Sequence, residues 1–281
     1  MMQAERTPDV AQVPPGADTR HTILSVSGAA LGYRVHGTDI QAVKDATFEV
    51  ATGETIMLIG PSGCGKSTLL KAIAGFLELT DGSIVVAGRA TLAPGPDRAV
   101  VFQEFDQLFP WRTVLDNVAY PLRRNGHSAV EAKRQALHYL ELMGLSRALD
   151  LHPHRLSGGM KQRVAIARAF ALEPTMLLMD EPFGALDALT RSRLQGELNI
   201  LAKRTGVTIL FVTHSIDEAI VLGDRVVVLS EPPAVVREIV PISARAKDVS
   251  SDDYLAARTR LGQLLHGGTT EVDSDVATFF E

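Results

Sequence analysis

Residues 55–67, "TIMLIGPSGCGKS", constrain this chain more than any other stretch. An apolar run passes straight into Gly60-Pro61-Ser62-Gly63-Cys64-Gly65-Lys66-Ser67, with Thr68 next, and matches the spacing G-x-x-x-x-G-K-S at every required position. Such a loop works only between a buried strand and a helix. Its glycines let backbone amides turn toward phosphates, and the helix start adds positive potential. Lys66 is expected to add a full charge there, and the Ser67 hydroxyl to ligate Mg²⁺. The strand is expected at 55–60 and the helix at 66–74. The fold class follows: α/β, a mostly parallel sheet flanked by helices around a phosphate loop.

Further apolar runs read as strands: "SIVVAG" (83–88), "RAVVFQ" (98–103), "TMLLMD" (175–180), "VTILFVT" (207–213) and "RVVVLS" (225–230). In open α/β sheets ligands sit at the C-terminal strand ends, where these runs end in polar residues. Asp180 is placed to hold the metal through water. Glu181 lies nearer the terminal phosphate, where it can polarise an attacking water as a general base. Gln103 is a ligand for metal or water and also opens the segment that follows. His214 is a hydrogen-bonding group for the γ-phosphate and an orienting partner for Glu181. Tyr33, in the turn-like "ALGYRVHG", offers an aromatic face for adenine, whereas Phe48 alternates with Ala46 and Val50 as a core residue. Cys64 stands at a loop position whose side chain is free to vary. Modification there by a bulky thiol reagent, slowed by ATP, is the expectation.

Between 105 and 171 the pattern turns helical, with Thr113-x-x-Asp116 and the stronger capping box Ser128-x-x-Glu131 as start signals. This is an all-helical insertion in an α/β domain. Residues 22–50 read as a small antiparallel β subdomain. Residues 1–21 form a flexible arm, 22–245 the main domain, and 246–281 a tail with one amphipathic helix and an acidic end. No apolar run approaches the ~20 residues a spanning helix needs, and the N-terminus has no apolar leader core, so a cytosolic chain is expected. One cysteine among 281 residues excludes an internal disulfide, and a net charge of −5 argues against nucleic acid as the main ligand. His152 and His154 flank Pro153 as a plain loop pair.

One stretch is left over. "LSGGMKQR" (156–163) is a second Ser-Gly-Gly turn at the mouth of a second helix, although one nucleotide needs one cradle. With the phosphate loop, Gln103, "LLMDEP", "GALD" and His214 in this order, it resembles the ATPase subunit of ATP-binding cassette (ABC) transporters over residues 22–245. The resemblance implies two copies packed head to tail around two ATP molecules. Ser157, Gly158 and Gly159 of one copy would cradle the ATP held by the other, with Asp187 making contact across the same interface. It also implies a membrane permease pushed by the helical insertion, and an extracytoplasmic binding protein that delivers the solute. "EFDQLFPWRTVLDNVAYPL" looks like the nitrate/sulfonate/taurine importer branch. In it the sole tryptophan, Trp111, lies either near the permease contact or in the core of the insertion. Met160 stands where many members carry glutamine, and "SEPPAVVREIV" replaces an expected arginine-proline-glycine turn. The alternatives are a soluble non-transport ABC ATPase, a phosphoryl-transferring kinase, which leaves "LSGGMKQR" without a role, and an ATP-binding regulator without turnover, which Glu181 and His214 argue against.

Overall fold

The computed structural model describes residues 21–35, 38–90, 93–104 and 107–266. The expected arm before His21 and the acidic end beyond His266 lie outside the described residues. Strands β1 (Thr22–Val35) and β2 (Thr38–Ala51) form a long antiparallel hairpin, and β4 (Asp81–Val86) pairs on the far side of β1, with the two-residue β5 (Arg89–Ala90) at the edge. The parallel set is β6 (Arg98–Val101), β7 (Met176–Asp180), β8 (Thr208–Val212), β3 (Thr55–Ile59) and β9 (Arg225–Leu229), side by side in that order.

The expected small β subdomain is not separate from this sheet. Strand β10 (Ala234–Pro241) pairs antiparallel with β9 and parallel with β2, which makes one ten-stranded sheet in the order β5-β4-β1-β2-β10-β9-β3-β8-β7-β6. The "SEPPAVVREIV" segment, read from sequence only as a missing turn, is therefore the splice between the two halves. Its β-branched residues carried that signal.

Alternate residues of each central strand face opposite layers. Met57, Ile59, Leu177, Met179, Ile209 and Phe211 pack under helices, while Ile56, Leu58, Met176, Leu178, Leu210 and Val212 pack against the hairpin side. The second layer holds α1 (Lys66–Ile73) together with Leu24, Val26, Val43 and Phe48. The first layer holds the helical insertion, made of α2 (Val114–Arg124), α3 (Ala129–Leu142) and α4 (Gly158–Ala171). It also holds α5 (Ala188–Thr205), α6 (Ile216–Leu222) and α7 (Asp252–His266), the last burying Tyr254 and Leu261 in the main core.

The helix ends follow their caps. Thr113 accepts from the Asp116 amide, and Ser128 with Glu131 makes the full reciprocal capping box. Asp187 caps α5, which stops at Gly206 in the left-handed conformation. Ser215 caps α6 by accepting from the Glu218 amide at 3.3 Å, and the Glu218 carboxylate accepts from Gln195 Nε2 at 2.8 Å.

Candidate nucleotide site

Because β3, β6, β7 and β8 run parallel, their C-terminal ends reach one edge of the sheet together. That edge carries the phosphate loop after β3, Gln103 after β6, Asp180 and Glu181 at the end of β7, and His214 after β8. The geometry of the loop is set by space and backbone. Gly63 and Gly65 have φ of +76° and +94°, a region that L side chains avoid. A Cβ on Gly65 would also stand 2.9 Å from Val43 Cγ2, because β2 crosses over the loop.

Lys66 is buried inside its own loop, where Nζ donates to the carbonyls of Gly60 and Pro61 at 2.9 Å each. The Ser67 hydroxyl donates to Asp180 Oδ1 at 2.8 Å, a bond that joins two motifs 113 residues apart. Burial pushes the Asp180 carboxyl above its ordinary range, and the neighbouring Glu181 charge adds to this; the Ser67 bond opposes both. Glu181 sits in the left-handed region at φ +44°, unusual for a long side chain, with its N–H donating to Val212 O at 3.0 Å. Its Oε2 meets His214 Nδ1 at 3.0 Å, which engages one ring nitrogen and leaves Nε2 for a ligand. Gln103 is exposed, and a Cβ on Gly184 would lie 3.6 Å from its Nε2 and 3.8 Å from Glu181 Oε2, so Gln103, Gly184 and Glu181 converge.

Two expectations are corrected. Tyr33 is not in a turn: it is a strand residue opposite Ile40, half exposed on the hairpin. Gly32 gave the turn signal, yet a Cβ there would lie 3.1 Å from Ile40 O, so this glycine serves close strand approach. Cys64 is not outward-facing. Its side chain is fully buried beneath the loop, and a Cβ on Gly60 would stand 2.7 Å from its Sγ. Burial raises the thiol pKa further, against the pull of Lys66. The folded chain should therefore react with maleimide far more slowly than the denatured chain, whether or not ATP is present. Rapid labelling of the native protein in a mass-spectrometric time course would contradict this burial.

The second Ser-Gly-Gly turn lies elsewhere. Ser157 is exposed and caps α4, accepting from Met160 N at 3.3 Å. Gly158 and Gly159 are half-buried, and a Cβ on Gly159 would stand 2.8 Å from Thr190 Cγ2. Thr190 in turn donates its N–H to Asp187 Oδ1 at 3.0 Å. The Ser157–Gly159 turn and the Asp187 turn thus pack on each other, and the groove beside Ser157 has no phosphate-loop residue in its lining.

Several positioning groups escaped the sequence reading. Gln107 Nε2 donates to the carbonyls of Phe102 and Glu104, on either side of Gln103, while Gln107 O accepts from Arg168 Nη1 of α4 at 2.8 Å. That is a physical link from Gln103 to the helix that begins at the Ser157–Gly159 turn. Burial pulls the Arg168 guanidinium down to about 10. Buried Asn117 accepts from Phe109 N and donates to the carbonyls of Phe109, Arg112 and Thr113, which holds the segment bearing Trp111. Trp111 itself is 71% exposed and packs on Phe109 with ring centroids 5.7 Å apart. A buried asparagine four residues after a cap was a readable signal; the Gln107 link was not.

A phosphate loop between a central parallel strand and a helix, facing strand-end acids, defines a nucleoside-triphosphate hydrolase. A family model described as "ABC transporter" matches residues 43–184. The nitrate import ATP-binding protein of Synechococcus elongatus is 51% identical over 69% of this chain, which spans 29% of that relative. The taurine import ATP-binding protein of Rhizobium johnstonii is 49% identical over 75% of this chain and 80% of its own length. A solved dimeric ABC transporter cassette superposes with a TM-score of 0.71 at 32% identity, covering 79% of this chain and 100% of that one. The chain belongs to the ABC transporter family, as an ATP-binding and ATP-hydrolysing subunit.

Proposed function

We propose that two copies of this chain sandwich ATP and energise the import of a small oxyanion or sulfonate through a separate permease. The observation that carries this reading is the placement of the Ser157–Gly159 turn on Thr190 and the Asp187 cap, apart from the chain's own Lys66 loop. A helix start built for an anion, with no phosphate-loop residue in its groove, serves a nucleotide held by a second copy. The dimeric state described for the solved cassette supports the pairing.

In each site the amides of residues 60–68 and the Lys66 ammonium hold the phosphates, and Tyr33 faces the base. The water oxygen attacks the γ-phosphorus, Glu181 accepts the proton, and ADP leaves with the β–γ bridging oxygen. His214 holds the Glu181 carboxylate through Nδ1 and contacts the γ-phosphate. Ser67, Asp180 and Gln103 supply an all-oxygen set that suits Mg²⁺, a hard cation, and their existing Ser67–Asp180 bond shows the two oxygens already converge. The metal would neutralise charge on the β- and γ-phosphate oxygens. Among the described residues no helix is long and apolar enough to cross a membrane; in this reading the chain sits at the cytoplasmic face of the cell membrane, bound to a permease that spans it. The chain's docking face is exposed Trp111 packed on half-buried Phe109, beside the groove lined by Tyr120, Pro121 and Arg168. The solute class follows the nitrate and taurine relatives, with a binding protein delivering it.

The test is affinity capture of the chain from gently solubilised membranes, alongside Trp111→Ala. A polytopic membrane protein in stoichiometric amount, weakened by the substitution, supports the reading. Soluble partners alone would leave the ATPase but remove the transport role.

A further inference from the structure

Arg191 is the fourth residue of α5, four positions after the Asp187 cap, and its N–H donates to Asp187 O at 2.9 Å. Its Nη2 donates to Leu186 O at 2.9 Å, at the residue immediately before Asp187. Its Nε is buried and has no hydrogen-bond partner among the described residues. Arg191 also lines a cavity of about 10 Å³, room for about one water, whose wall includes Glu181, Gly184, His214 and Glu218. Of the charged groups there, Glu181 is held by His214, and Glu218 accepts from Gln195. Arg191 therefore bonds the residue before Asp187 and also lines the chamber beside the Glu181–His214 pair.

We propose that Arg191 is a positioning residue for ATP hydrolysis, tying the Leu186 carbonyl to the wall formed by Glu181 and His214 so that the Asp187 turn and the general base move together. The inference rests on the reading of Glu181 as base and of Asp187 as a contact to the second copy. A planar fork suits this task because its donors are fixed relative to one another. Lysine brings a similar charge on a flexible stem and cannot hold two places at once. When a partner copy presses on Asp187, the shift reaches Leu186 and passes through the guanidinium to the base. Hydrolysis is then fastest only when the dimer is closed.

The test is steady-state ATP hydrolysis across ATP concentrations for the full chain, Arg191→Ala, Arg191→Lys and Glu181→Gln, with melting temperatures. Light scattering would follow the ATP-driven dimer in a Glu181→Gln background with and without Arg191→Ala. Misplacing a catalytic group by about 1 Å costs up to about 100-fold. Arg191→Ala is therefore expected to lower kcat about 10- to 100-fold, with KM for ATP within about twofold, Tm unchanged and the dimer retained. Arg191→Lys is expected to recover only part of the rate, and it carries the same measurement if the alanine variant does not fold. Wild-type kcat in Arg191→Ala, full rescue by lysine, or a rate loss that tracks a fallen Tm or a lost dimer would each overturn the proposal. Wild-type hydrolysis by Glu181→Gln would instead remove the assignment of the base, and this inference with it. An inactive Glu181→Gln beside a fully active Arg191→Ala removes the inference alone.

Discussion

Glu181→Gln is expected to lower ATP turnover about 10²- to 10⁴-fold while ATP affinity stays near wild type. The amide keeps the size and most hydrogen-bonding reach of the carboxylate but cannot accept the proton of an attacking water. The phosphate loop and Lys66 are untouched, since Glu181 belongs to a different strand end and bonds His214. ATP that binds but is not cleaved should also hold two copies together, so the variant should elute as a dimer with ATP and as a monomer with ADP. Hydrolysis within a few-fold of wild type would remove Glu181 as the base.

Gly159→Asp tests the other half of the sandwich. A Cβ at Gly159 already stands 2.8 Å from Thr190 Cγ2, so any side chain must displace the Thr190 methyl group. An aspartate adds a negative charge where the proposed γ-phosphate would lie. The amides there act as fixed donors to that group, and losing one such donor typically costs about 10²- to 10³-fold. Hydrolysis should fall by about that factor, and the ATP-driven dimer of the Glu181→Gln background should not form. Binding of a fluorescent ATP analogue to the monomer should survive, because the phosphate loop lies elsewhere. Loss of monomer binding together with hydrolysis would mean that the turn serves its own chain's nucleotide.

The polar edge of the sheet was legible because these strand runs end in polar residues. Gln103, Asp180 and His214 were placed by one rule, that parallel strands present their C-terminal ends together, and the structure brings them to one edge. Helix starts were readable from Thr113 and Ser128, since capping is local chemistry. Tyr33 and Cys64 were misread for opposite reasons. Gly32 gives the same signal for a turn as for a close strand approach, and nothing in a loop sequence shows that the cysteine turns under rather than out.

The sequence alone determined the phosphate loop, most of the strands and helices, and the polar residues at the parallel strand ends. These depend on backbone freedom, apolar periodicity and capping, all of which act over a few residues. Tertiary structure alone decided how distant pieces meet. It placed β10 as the bridge between sheet halves, joined Ser67 to Asp180 across 113 residues, set Gly159 on Thr190, and put Arg191 both on Leu186 O and in the wall of the cavity beside Glu181 and His214. Such contacts depend on which elements pack side by side, and packing is settled by the whole sheet at once rather than by any one stretch of chain.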